Sequence, residues 1–186
     1  MKDKIIIVEG PQGVGKTTFT NYLREKMSST DLYRLTGIKD KTETGHQKIK
    51  KKYEKLIEYM AACSDVNLLF DRTFFTNEIY SRLGFLQYNF SETFEELLQK
   101  LDKLDFDIYL IILYLEDTRI YAQRLKREKF EYQKFDAESS IKQQEEYLKL
   151  AEEVESKTKN IKVVKLEMSS EEKRNKDLEK LFGDCF

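Results

Sequence analysis

Residues 5–20 read IIIVEGPQGVGKTTFT, and the way this stretch divides decides the fold. Ile5–Val8 is an unbroken β-branched run, the pattern of a strand buried on both faces. Gly10, Gly13 and Gly15 follow, and then Lys16 and Thr17. The spacing is G-x-x-x-x-G-K-[ST], set between a strand and the start of a helix, which is the context a phosphate-holding loop requires. Glycines let successive backbone N–H groups turn inward and form an anion nest. A helix opening near Lys16 adds the positive end of its dipole. On this reading Gly10, Pro11, Gln12, Gly13, Val14, Gly15, Lys16, Thr17 and Thr18 bind a nucleoside triphosphate, ATP with Mg²⁺. Lys16 reaches the β- and γ-phosphates, the Thr17 hydroxyl binds the metal, and Thr18 lies toward the α-phosphate. A glycine-rich turn without a ligand is the competing reading.

Outward from this stretch, short apolar runs alternate with helical stripes. A helix is predicted over 17–28 and a short strand over Asp31–Leu35. Ile49, Tyr53, Leu56, Ile57 and Met60 recur at helical spacing, so 44–63 is predicted as an amphipathic helix. Val66–Phe70 is a second buried strand, followed by helices over 74–83 and 91–104. Ile108–Leu115 is the longest apolar run and reads as a central strand. Helices over 117–128 and 137–158, a strand over Ile161–Leu166 and a helix over 170–182 complete the chain. Such alternation implies βαβ units, hence an α/β protein with a three-layer α/β/α sandwich and about five mostly parallel strands. One domain is expected over 1–186, with a lid segment at about 117–136. Ligands in such folds bind beyond the carboxyl ends of the strands.

Composition narrows the function classes. The 33 basic and 34 acidic residues nearly cancel, leaving a net charge of −1 and no global field for nucleic acid or an anionic membrane. Cys63, Cys185 and the single histidine, His46, have no zinc-type spacing. His46 opens a predicted helix, where capping or solvent exposure is the default, and Lys48–Lys52 reads as a solvated face. No apolar run approaches 18 residues, and the first ten residues lack a signal-peptide core. A cytoplasmic protein with no membrane partner is expected.

The remaining chemistry-bearing residues cluster after the strands. Asp71 ends the second buried strand, where an acid holds Mg²⁺ directly or through water; helix N-capping is the alternative. Arg72 would then face the acceptor and clamp its phosphate, or else form a structural salt bridge. Phe74, Phe75 and Tyr80 offer aromatic faces that stack on an acceptor base or pack in the core. Arg124 and Arg127, three apart, share one helix face and would stabilise charge on a transferring phosphoryl group. Arg119, Lys126, Lys129 and Lys134 add positive charge nearby, and residues 128–136 would close over nucleotide.

The stretch EGPQGVGKTT, residues 9–18, resembles the opening of thymidylate kinases and their deoxynucleoside kinase relatives. Three further stretches agree in order: LLFDRTFFTNEIYSRLG at 68–84, IYLIILYLEDTRIYAQRLKR at 108–127, and KFDAESSIKQQEEYLKLAEE at 134–153. The resemblance implies that Asp71-Arg72 is the family's Asp-Arg pair, that Arg124 and Arg127 are lid arginines, and that Tyr147 is its late tyrosine, lining the acceptor pocket or packing in the core. It suggests that Glu9 serves the metal or the acceptor's sugar, and that the acceptor sits near Arg72 and Arg34, the one arginine found after the second strand. The chain departs from the family at Thr73, where Tyr or His is usual, and at Ser81, where Gln is usual. The implied activity is ATP-dependent phosphoryl transfer to a (deoxy)nucleoside monophosphate, by a homodimer. A deoxynucleoside kinase acting on a 5′-hydroxyl, with Glu9 or Asp71 as base, is the alternative. A nucleotide-dependent switch and a polynucleotide 5′-end kinase are further readings. Missing Asn-Lys-x-Asp and Asp-Glu signatures argue against the first, and the balanced charge against the second.

Overall fold

Alternation of apolar residues along each strand fixes the layers. The computed structural model describes residues 2–127 and 136–183. Its elements are β1 (Lys4–Glu9), α1 (Lys16–Lys26), β2 (Thr30–Arg34), α2 (Glu43–Ala62), β3 (Asn67–Asp71) and α3 (Phe74–Arg82). They continue with α4 (Ser91–Asp102), β4 (Asp107–Tyr114), α5 (Arg119–Arg127), α6 (Ala137–Lys157), β5 (Ile161–Glu167) and α7 (Glu171–Phe182). Each lies within two residues of its predicted span at either end. The strands form one parallel sheet in the order β2-β3-β1-β4-β5.

Ile5 and Ile7 of β1, Leu68 and Phe70 of β3, and Ile108, Leu110 and Ile112 of β4 point to one face. There they meet the apolar stripes of α2, α3, α4 and α6. Ile6, Val8, Leu69, Ile111 and Leu113 point to the other face, against Phe19 and Leu23 of α1, Tyr121 of α5 and Leu178 of α7. Successive strand side chains leave opposite faces, so each unbroken run is buried twice, and Ile5 to Val8 are all 0% exposed. At about 25 cal/mol per Å² of apolar surface this double burial is the largest favourable term available to a chain of this size.

The parallel pairing brings the carboxyl ends of β1, β2 and β3 together, since Val8 pairs with Asp71 and Arg34 with Asp71. The loop after β1, the acid ending β3 and the arginine ending β2 therefore share one sheet edge. His46 does not face solvent: its ring bonds Thr93 Oγ1 at 2.9 Å and stacks on Tyr88 at 4.5 Å, joining α2 to α4. Among the described residues no helix is long and apolar enough to cross a membrane. Lid residues 128–135, with Lys129 and Lys134, and Cys185 lie outside the described residues, as does the side chain of Arg127.

Candidate active site

The loop from Gly10 to Gly15 leaves the buried end of β1 and turns directly into α1. Gly10 has φ 147°, and a Cβ there would lie 2.8 Å from the carbonyl oxygen of Leu113, so a side chain would push the loop off β4. Gly15 has φ 102° and caps α1 without any side-chain hydrogen bond. Gly15 offers no side chain to the first-turn amides of α1, which sit at the positive end of the helix dipole. Lys16 is 6% exposed, and its Nζ donates to the carbonyls of Gly10 and Pro11 at 2.6 and 2.7 Å. The ammonium is therefore held inside the curve of the loop, while Thr17 and Thr18 are exposed at its rim.

Thr17 Oγ1 donates to Asp71 Oδ2 at 3.3 Å, across 54 residues of sequence. Asp71 is buried and also meets Arg34, whose Nε lies 3.8 Å away. Arg34 is itself anchored by a hydrogen bond to Asn21 Oδ1 on α1. Two hard oxygens side by side at a phosphate loop fit Mg²⁺, which takes one or two protein oxygens and completes its octahedron with phosphate and water. Among the described residues no group of three or more His, Cys, Asp or Glu forms a self-sufficient metal cage. The ion would depend on the nucleotide for the rest of its ligands.

Arg72 follows at φ 72°, a left-handed backbone in a non-glycine residue, with its N–H donating to Val8 O at 3.1 Å. Its half-buried guanidinium has no hydrogen-bond or ion-pair partner among the described residues. Burial opposes its charge, but the fields of Tyr80, Tyr147, Asp71 and Glu9 outweigh that and hold its pKa above the ordinary guanidinium value. Tyr80, half-buried, faces it; burial raises the Tyr80 phenol and Arg72 lowers it.

Where the sequence left a binding and a packing role open, the packing role is the one seen here. Phe74 and Phe75 are 1% and 0% exposed; they stack on one another at 4.7 Å and pack on Phe94 of α4. They belong to the core and present no face to a ligand, because their helix phase points them beneath the sheet edge. Tyr147 is likewise enclosed, and its hydroxyl turns inward to Glu9 Oε2 at 3.2 Å. Glu9 is 0% exposed. Its Oε1 accepts from Thr73 N at 2.6 Å and Thr73 Oγ1 at 3.2 Å, and its Oε2 from Thr76 Oγ1 at 2.7 Å as well as Tyr147. A carboxylate has about four lone-pair sites, so none is left for a sugar or a metal. Burial pushes the Glu9 carboxyl up to about 7, against the lowering effects of Thr76, Thr73, Lys16 and Arg72. Arg124 braces the loop from outside. Its Nη1 donates to Val14 O at 2.7 Å and Gly13 O at 3.3 Å, and its Nη2 to Met168 O at 3.3 Å.

Thr73, Thr76 and Gln144 escaped the sequence reading. Gln144 binds both the N–H and the carbonyl of Leu115, at 2.8 and 3.0 Å, and the Tyr121 hydroxyl at 2.6 Å, fixing α5 and α6 to the end of β4. A polar residue inside the apolar stripe of α6 was its only signal. Thr73 and Thr76 carried a weaker one, a threonine pair three apart at a helix start.

No family model matches the chain, and no curated protein matches it in sequence. Solved structures do match. Thymidylate kinase from Candida albicans superposes with a TM-score of 0.59 at 13% identity, over 97% of this chain and 91% of that one. Deoxyadenosine kinase from M. mycoides, solved with products dCMP and a flexible dCDP bound, gives 0.58 at 18% identity over 95% and 97%. Polyphosphate kinase 2 from Arthrobacter aurescens TC1 gives 0.68 at 13% identity, over 99% of this chain and 68% of that one. The chain shares its fold with these three kinases.

Proposed function

We propose that the protein transfers a phosphoryl group from ATP to a (deoxy)nucleoside monophosphate. The observation that carries this reading is the Arg72 guanidinium, half-buried and without a hydrogen-bond or ion-pair partner among the described residues, on the same sheet edge as the phosphate loop. The surrounding groups already favour its charge, and an acceptor phosphate would give the guanidinium a direct hydrogen-bonding anion. The loop amides of residues 10–15 and the Lys16 ammonium would hold the β- and γ-phosphates of the donor. Thr17 and Asp71 would hold Mg²⁺, which when bound offsets negative charge on the phosphates. Lys16 and Arg72 would orient donor and acceptor toward each other and stabilise the charge of the transition state, without a covalent enzyme intermediate. Likeness of fold to a thymidylate kinase and a deoxyadenosine kinase agrees with a nucleotide or nucleoside acceptor.

A nucleoside acceptor would need a base for its 5′-hydroxyl proton. Asp71 would have to serve, because the lone pairs of Glu9 are all engaged. The test is incubation of the purified protein with ATP, Mg²⁺ and a panel of nucleosides and nucleoside monophosphates, with products resolved by chromatography. Diphosphate products are expected. Monophosphates formed from nucleosides alone would transfer the assignment to the second reading, and no product from any acceptor would overturn both.

A further inference from the structure

The turn that carries Arg72 is held in place by its neighbours rather than by its own conformational preference. A non-glycine residue at φ 72° persists where surrounding bonds over-determine it. Two bonds from the end of β1 do so: Arg72 N–H to Val8 O at 3.1 Å, and Thr73 N–H to Glu9 Oε1 at 2.6 Å. The second is only as firm as the Glu9 side chain. That side chain is pinned on its other oxygen by Thr76 Oγ1 at 2.7 Å, from the first turn of α3, and by Tyr147 Oη at 3.2 Å, from α6. Thr76 Oγ1 and Tyr147 Oη lie 3.0 Å apart, so the three oxygens close a triangle. Glu9 immediately precedes Gly10, so the cluster ties the root of the phosphate loop to the turn bearing Arg72.

We propose that Thr76 and Tyr147 are positioning residues of the acceptor site: through the Glu9 carboxylate they lock the Asp71–Thr73 turn and so aim Arg72. The inference rests on the reading of Arg72 as the acceptor clamp. Both hydroxyls end on Glu9 and on each other, and among the described residues neither hydrogen-bonds residues 10–18. Their loss is expected to weaken the acceptor site more than the ATP site, because the loop has further supports of its own in Lys16 and Arg124.

Full-length Thr76→Val, Thr76→Ser and Tyr147→Phe are compared with the parent protein, by steady-state kinetics and by amide hydrogen exchange. Thr76→Val keeps the shape and loses the hydroxyl; it is expected to raise the acceptor KM about tenfold and leave the ATP KM within about twofold. Thr76→Ser, which restores the hydroxyl, is expected to recover the acceptor KM. Exchange across 71–77 is expected to speed up in Thr76→Val and Tyr147→Phe while 13–18 stays protected. If Thr76→Val does not fold, Tyr147→Phe, which keeps the ring that fills the core, gives the same comparison. The inference is overturned if both KM values rise together, if Ser is as impaired as Val, or if exchange across 71–77 is unchanged. Should the parent protein phosphorylate nothing, the proposed reaction and the clamp fail with it, and the exchange measurement alone decides whether Thr76 and Tyr147 lock the turn.

Discussion

Replacing Glu9 by Gln keeps the shape of the side chain and removes its charge. In the folded protein burial holds the Glu9 carboxyl at about 7, whereas in an unfolded chain it titrates near 4.5. The folded pKa is raised, so the associated stability is fully present below the unfolded value and is lost as pH rises. Below about pH 4.5 both states are protonated and Glu9 costs nothing. Between that point and about pH 7 the unfolded chain releases a proton that the fold retains, and stability falls. Above it the folded protein carries a buried charge at a cost of about 3 kcal/mol, from 1.36 kcal/mol per pKa unit. Glu9→Gln has no such group. Urea unfolding of both proteins at about pH 4.5 and about pH 8.5 gives the difference free of other titrations, which cancel. The stability of the variant relative to the parent is expected to increase by about 3 kcal/mol toward the alkaline end. Parallel curves, with no change in that difference, would refute the account of Glu9 as a carboxylate whose desolvation outweighs its four hydrogen bonds.

Three other outcomes are expected. Lys16→Ala should lower kcat by about 10²–10³-fold with the fold intact by circular dichroism, because the ammonium inside the loop acts on the charge that develops in transfer. Arg72→Ala should raise the acceptor KM about a hundredfold and spare the ATP KM; equal effects on both would detach Arg72 from the acceptor. Phe75→Ala should cost about 3–5 kcal/mol in urea unfolding and leave the order of acceptor preference unchanged, as expected of a side chain that fills the core.

The amino-acid sequence by itself determined which segments form strands and helices and which loop has the spacing of a phosphate-holding loop. Those features are local. Four β-branched residues, three glycines and a Lys-Thr pair within thirteen positions encode a strand, a nest and a helix start without reference to the rest of the chain. The same reading set Asp71 and Arg72 at the end of a buried strand. Tertiary structure alone decided that β3 lies between β1 and β2, since an apolar run shows that a strand is covered but not what lies beside it. That order brought Asp71 to Thr17 across 54 residues and set Arg72 next to the loop. It also chose between roles that residue type left open. Phe74 and Phe75 look like stacking aromatics in one dimension, yet the rotation of α3 turns them under the sheet. Glu9 looks like a ligand-binding acid until Thr73, Thr76 and Tyr147 arrive from 64 to 138 residues away and fill its lone pairs. A lone pair can be filled only by a donor within about 3 Å, and proximity of that kind is created by packing.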